Sequence, residues 1–264
     1  MNVCSIASGS SGNCIYVGSE KNHILIDAGV SRKRIVEGLQ EIGVAPEKLD
    51  AIFVTHEHSD HIQGIHMMVK MFGVPVFATG GTLDGICMKD SKKVIGRDKL
   101  YQLYADEAVS IGNLQIMPFR MSHDAAEPVC YTVKSGSTKL GIATDLGKYD
   151  EYTIDHLADS DILFLEANHD ISMLEAGKYP YQLKCRILSD RGHLSNEAAG
   201  RLLCRLSQKK LKYAFLAHLS KENNYPQLAY EAVKCQIWEE MGWNQLPFEL
   251  MVAQRDKPSK MIIL

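Results

Sequence analysis

Asp50-Ala51-Ile52-Phe53-Val54-Thr55-His56-Glu57-His58-Ser59-Asp60-His61 is the stretch on which the reading of this chain turns. Its first five residues form an apolar run of the length of a buried strand. The residues that follow, Ile62 to Phe72, carry apolar side chains at helical spacing. Five side chains able to bind a metal or move a proton (His56, Glu57, His58, Asp60 and His61) thus fall within six residues. They occupy the loop where a strand gives way to a helix, the usual place for a site in an α/β fold. A solvated loop has no reason to concentrate imidazole and carboxylate in this way, so a metal site is expected.

Working outward, His23-Ile24-Leu25-Ile26-Asp27-Ala28-Gly29 reads as a strand ending in an acid and a glycine. Ser31 is a plausible N-cap for a helix over 32–42, closed by Gly43. Before it, strands at 1–7 and 14–18 flank Ser8-Gly9-Ser10-Ser11-Gly12-Asn13. This loop of small residues could bring backbone N–H groups close to an anion, or could be a plain hairpin turn. After the histidine cluster comes a short strand at 74–77. Lys89, Lys92, Lys93, Arg97 and Lys99 then form the most basic stretch, read as a solvated face. Short strands dominate 100–144. Helical pattern returns at 150–158, 171–189, 195–208 and 226–241, with strands at 161–166, 213–217, 248–252 and 261–264.

One internal echo organises the rest. The strand ending at Asp27 leads through a helix to a strand followed by His56. The strand ending in Thr144-Asp145-Leu146-Gly147 leads through a helix to Asp161–Glu166 and then Asn168-His169. The acid-to-histidine separations are 29 (56 − 27) and 24 (169 − 145) residues. Two related half-domains follow, each delivering an acid and a histidine from strand ends. No Pro/Gly/Ser-rich linker divides them, so a single domain over 1–264 is expected.

Composition narrows the functional classes. At 45% hydrophobic and 23% charged residues, the chain is an ordinary globular α/β candidate. A net charge of −3 provides no global basic field, so positive charge for a polyanionic substrate must be local or come from metal ions. Seven scattered cysteines without a C-x-x-C pair argue for free thiols and a reducing, cytoplasmic setting. No signal-peptide pattern and no run of 18 apolar residues occurs, so no membrane partner is expected.

Most of the ten histidines sit where strands end, namely His56, His58, His61, His123, His169, His193 and His218. His23, His66 and His156 lie at a strand start or within helices and are read as structural. The stretch H-x-H-x-D-H at 56–61, followed by His123, Asp145 and His218, resembles the metallo-β-lactamase superfamily. The resemblance implies an αββα sandwich and two divalent ions (zinc or manganese, with iron(II) also compatible). One ion would take His56, His58 and His123. The other would take Asp60, His61 and His218, with Asp145 bridging and Asp27 bracing the ligands from behind. Two such ions can share a hydroxide and clamp the attacked and leaving oxygens.

The outer residues address the substrate. Thr144-Asp145-Leu146-Gly147 and Arg191-Gly192-His193-Leu194-Ser195 resemble the phosphodiesterase branch of that superfamily, where the histidine equivalent to His193 faces the scissile phosphate and can protonate the leaving oxygen. Four stretches resemble the YycJ/WalJ family of 5′-to-3′ DNA exonucleases. They are Ser8–Cys14, Glu166–Asp170, Gly192–Asn196 and His218-Leu219-Ser220-Lys221-Glu222-Asn223-Asn224.

The resemblance makes His193, Asp60 and His169 the catalytic candidates. Ser8, Ser10, Asn13, Ser220 and Asn223 become the substrate-binding candidates, although Ser220 and Asn223 can equally be read as caps of the 226–241 helix. Lys184, Arg186 and Arg191 are candidates for contacts to a nucleic-acid backbone, with DNA the expected partner. Asp145 and His218 are 73 residues apart, too close for the large insertion of RNase J-type nucleases. Two rival readings remain. A glyoxalase-II-type thioester hydrolase would share the ligands but has less use for His193. A metal-loaded regulatory module would not need the full ligand set.

Overall fold

The structure, a computed structural model, describes the chain except Lys92, Lys93, Gln208, Lys209 and Asn244. Part of the expected basic face and the end of the 195–208 helix therefore lie outside the described residues. The chain divides into two compact units. The first comprises 1–118, 125–137 and 254–264, and the second 119–124 and 138–253. No helix among the described residues is long and apolar enough to cross a membrane.

In the first unit, β1 (Asn2–Ala7), β2 (Cys14–Gly18) and β3 (His23–Ile26) pair antiparallel. Beyond β3 the direction changes. β4 (Ala51–Phe53), β5 (Val76–Thr79) and β6 (Leu100–Leu103) continue the same sheet in parallel. The parallel pairing of β3 with β4 requires a crossover, and α1 (Arg32–Glu41) supplies it. Ser31 caps α1 by accepting from the Arg34 amide. Ile35, Leu39, Ile52, Val54, Ile65 and Met68 bury a common core. Antiparallel β7 (Val109–Ile111) and β8 (Leu114–Arg120), with β9 (Val129–Ser135), belong to a second sheet.

The expected helix over 62–72 is two helices, α2 (Ser59–Ile62) and α3 (Ile65–Phe72). The break falls at Gly64, whose amide donates to the Ala28 carbonyl at 2.7 Å. A Cβ there would stand 2.4 Å from the Val30 carbonyl oxygen. Helical periodicity continues through the break, which is why the sequence pattern conceals it. Between the 74–77 strand and the basic stretch the chain forms α4 (Gly80–Lys89).

The second unit is simpler. β10 (Thr138–Ala143), β11 (Ile162–Glu166), β12 (Tyr213–Ala217) and β13 (Glu249–Val252) run parallel, in that order. α5 (Glu151–Leu157), capped by Asp150, makes the first crossover. α8 (Asn196–Leu206) and α9 (Pro226–Met241) serve the next two. Phe164 and Phe215 face each other across β11 and β12, with ring centroids 4.4 Å apart. The expected 171–189 helix is again two, α6 (Ile171–Ala176) and α7 (Tyr181–Ile187). Pro180 sets the boundary, because its ring restricts the preceding residue to extended backbone.

The half-repeat is present in both units. β3-α1-β4 and β10-α5-β11 are both parallel pairs with a helical crossover. Both first strands run into an aspartate of left-handed backbone, Asp27 at φ 63° and Asp145 at φ 59°.

Gly29 shows what fixes the first of these corners. Its amide donates to the Asn13 carbonyl at 2.7 Å, and the Ala28 amide donates to the His61 carbonyl at 2.9 Å. A Cβ at residue 29 would stand 1.6 Å from the Asp60 carbonyl oxygen. Gly29→Ala is expected to lower the unfolding free energy by about 3 kcal/mol or more, the upper range for overpacking. Urea unfolding measures this, and a variant within 1 kcal/mol of the parent would contradict the contact.

Candidate metal centre

The first unit presents His56, His58, Asp60 and His61 from the end of β4 and from α2. The ring centroid of His56 lies 4.5 Å from that of His58 and 4.1 Å from that of His61. For His56 and His61 such crowding is tolerable because the proton of each ring is directed away from the other two. Thr55 is the hub of this arrangement. Its amide and hydroxyl donate to Asp27 at 2.8–3.1 Å, and its Oγ1 lies 3.0 Å from His56 Nδ1. His61 Nδ1 donates to Asp27 Oδ2 at 2.8 Å. With Nδ1 committed as donor on His56 and His61, both rings keep the electron pair of Nε2 for another partner. Asp60 Oδ2 stands 3.6 Å from His61 Nε2.

The second unit builds its set around Asp145 and Glu166. His123, after β8, is held by the loop preceding His193. Its Nδ1 meets the Gly192 carbonyl at 3.2 Å, and its own carbonyl accepts from the Arg191 guanidinium at 3.4 Å. Asp145 Oδ1 lies 3.8 Å from His123 Nε2 and 3.5 Å from His218 Nε2, so one carboxylate stands between two rings. His218 takes a left-handed backbone, φ 56°, where the chain leaves β12.

Glu166, fully buried at the end of β11, does for this unit what Asp27 does for the first. Its Oε1 accepts from His218 Nδ1 at 2.7 Å and from His193 Nδ1 at 2.9 Å. Its Oε2 accepts from the Leu146 amide at 2.8 Å and the Leu194 amide at 3.2 Å. Burial alone would raise the Glu166 carboxyl, but the two histidines outweigh it and keep it ionised below its ordinary range. Although its oxygens lie close enough to Asp145, His193 and His218 to suggest a ligand cluster, those hydrogen bonds consume them. Glu166 is an orienting residue, and it reproduces the carboxylate–histidine pattern found behind metal-bound imidazoles. The donor set in both units (imidazoles presenting Nε2 beside carboxylates) fits a borderline divalent ion.

His193 is partly exposed, with its Nδ1 anchored on Glu166. Burial pulls the ring's pKa down, but Glu166 and then Asp145 outweigh it, so the imidazolium is held above its ordinary range. His123 shifts the other way, burial dominating. His169 is buried with neither ring nitrogen hydrogen-bonded among the described residues, and burial pushes its pKa down to about 4. It is fixed through its backbone, its carbonyl accepting from the Asn196 amide.

Of the loop candidates, Asn13 and Ser8 are buried and Ser10 is exposed. Asn13 Oδ1 accepts from the Gly9 amide, and its Nδ2 lies 3.2 Å from His61 Nε2. Ser220 Oγ accepts from the Asn223 amide. Neither Ser220 nor Asn223 caps α9, whose N-cap is Tyr225, and the Asn223 side-chain nitrogen is buried without a hydrogen-bond partner among the described residues. The histidines read as structural are so. His23 pairs with Tyr16, His66 with Asp90, and His156 stacks on Phe119. Lys89 is exposed, as expected of a solvated face, and its Nζ donates to the Glu57 carbonyl at 2.8 Å.

Parallel strands ending in left-handed aspartates, with histidines on the loops that follow, define a metallo-β-lactamase-type fold. A beta-lactamase superfamily domain model matches residues 22–218. Exodeoxyribonuclease WalJ of Streptococcus pneumoniae is 37% identical over 235 residues, 88% of this chain and 86% of that protein. Exodeoxyribonuclease YycJ of Bacillus anthracis is 35% identical over 238 residues, 90% of this chain and 89% of that protein. The metallo-beta-lactamase fold protein YhfI of Bacillus subtilis superposes with a TM-score of 0.71 over 98% of this chain and 99% of its own, at 16% identity. The chain belongs to the beta-lactamase superfamily, in its YycJ/WalJ-like family.

Glu166→Gln tests the orienting role directly. Calorimetric titration of chelator-stripped protein with zinc is expected to give affinity about 10–100-fold weaker than the parent, the usual penalty for losing an outer carboxylate. Unaltered affinity would remove Glu166 from the centre.

Proposed function

We propose that the protein is a dinuclear metal-dependent phosphodiesterase acting as a DNA exonuclease, in the 5′-to-3′ direction that the family resemblance implies. In this reading the two units act as one catalytic domain over 1–264. One ion would be held by His56, His58 and His123 and the other by Asp60, His61 and His218, with Asp145 available to both. Zinc or manganese suits the donors. Divalent ions held there would supply water activation and charge neutralisation at a phosphoryl group.

His193 carries the phosphodiesterase reading. A leaving alkoxide needs a proton, and a histidine whose Nδ1 is anchored on Glu166, a contact that favours the protonated ring, presents its Nε2 for that role. Thioester hydrolysis expels a thiolate, which needs no such acid. His169, kept neutral by burial, is suited to a hydrogen bond with substrate rather than to proton delivery. Ser8, Ser10, Asn13, Ser220 and Asn223 are proposed to line the substrate's path. The seven free cysteines accord with a cytoplasmic location.

A paired assay on metal-reconstituted protein decides between the readings, using 5′-labelled DNA and a simple phosphodiester against a glutathione thioester. Thioester turnover alone would overturn the nuclease reading, and turnover of neither substrate with metal bound would favour a regulatory module. In the same assay, His193→Ala is expected to retain its metal while phosphodiester cleavage falls about 10²–10⁴-fold. Loss of metal from that variant would make His193 a ligand instead.

A further inference from the structure

Between His169 and His193 the chain leaves the sheet on an excursion, residues 171–192, that contributes no ligand. α6 and α7 are both short. Tyr181, the first residue of α7, is 81% exposed, and Leu188, just past its end, is 47% exposed. The same 22 residues carry Lys178, Lys184, Arg186 and Arg191 against only Glu175 and Asp190, in a chain whose net charge is −3. An exposed aromatic ring among cations is the composition of a single-strand platform, where bases stack and phosphates are neutralised.

The contacts decide how much of that charge is available. Lys184 Nζ donates to the Glu175 carbonyl at 2.6 Å, and Arg191 donates to the His123 carbonyl. Both acceptors are neutral, so both cations keep their full charge while their positions are fixed. Arg186 is paired with Asp124, and Asp190 with Lys148 at 2.7 Å, so those charges cancel locally. Lys178 is exposed.

The excursion closes tightly onto the proposed acid. The His193 amide donates to the Ile187 carbonyl at 3.0 Å, and the Gly192 amide donates to the Ser189 carbonyl at 2.8 Å. A Cβ on Gly192 would stand 2.1 Å from the Ile187 carbonyl oxygen, leaving no slack between α7 and His193. A strand lying on α7 is thereby held in register with the proton donor.

We infer that residues 178–191 form a binding platform for single-stranded DNA, on which Tyr181 stacks a base and Lys178, Lys184 and Arg191 neutralise phosphates beside the scissile bond. The inference rests on the nuclease reading for its substrate. It makes the protein's grip on DNA largely independent of base identity, because every base offers a π-face.

The test is a binding measurement on metal-loaded protein with a nuclease-resistant phosphorothioate oligothymidylate carrying one 2-aminopurine. Tyr181→Ala is expected to weaken binding about 5–100-fold and to abolish stacking-induced quenching of the probe, while Tyr181→Phe retains both. Lys178→Ala is expected to flatten the salt dependence by about 0.7 in log Kd against log salt, the contribution of one phosphate contact on a single strand. Unchanged affinity and quenching in Tyr181→Ala would overturn the platform. So would equal loss in Tyr181→Phe, or a parent protein that does not bind the oligonucleotide. Cleavage of the unmodified oligonucleotide by the parent reports on the nuclease reading alone, so the two failures are distinguishable.

Discussion

A carboxylate withdrawn from water at the end of a β-strand demands donors, because an unanswered buried charge is among the most destabilising features a fold can carry. Asp27 and Glu166 are two such carboxylates, 2% and 0% exposed. Asp27 is answered by the Thr55 amide and hydroxyl and by His61, and Glu166 by two amides and two imidazoles. His61 and His218, among these donors, also belong to the candidate metal-binding groups, so satisfying the charge and orienting those rings are one event.

The two half-repeats solve this problem in mirrored ways. In the first, the carboxylate is on the leading strand, and Asp27 takes the amide of Thr55 at the end of the following strand. In the second it is on the following strand, and Glu166 takes the amide of Leu146, beside Asp145 on the leading strand. The exchange releases Asp145 from bracing duty, which leaves its carboxylate to stand between His123 and His218. Three of the five non-glycine residues with positive φ among the described residues are Asp27, Asp145 and His218. Left-handed backbone is unfavourable for such residues, and its concentration at these corners fits the pattern of strain held at functional sites.

Much of this was legible in the sequence. The 56–61 motif, the acids ending strands at 27 and 145, and the strand–helix–strand order of each half-repeat followed from local periodicity and spacing. Of two helix breaks, the one at Gly64 was not visible, and the one before Tyr181 was missed although Pro180 signals it. Apolar spacing persists across the first, whose cause is the bond from the Gly64 amide to the Ala28 carbonyl, and the second follows from the proline restriction. Thr55 and Glu166 were missed as functional residues because each acts through another side chain. A closer reading of the half-repeat offered a signal for Glu166, the lone acid closing the apolar strand Ile162–Glu166. The positions of Lys184 and Arg191 depend on backbone carbonyls that no linear pattern encodes.

That a single oxygen of Glu166 serves both His193 and His218 ties two otherwise separate jobs together. When one ring is lost, the other inherits the whole of the carboxylate's attention, and its Nε2 becomes the more generous electron donor. Loss of either ring therefore changes the electron density of the other. The two histidines are thereby coupled, so that a substitution at either one is felt at the other through Glu166.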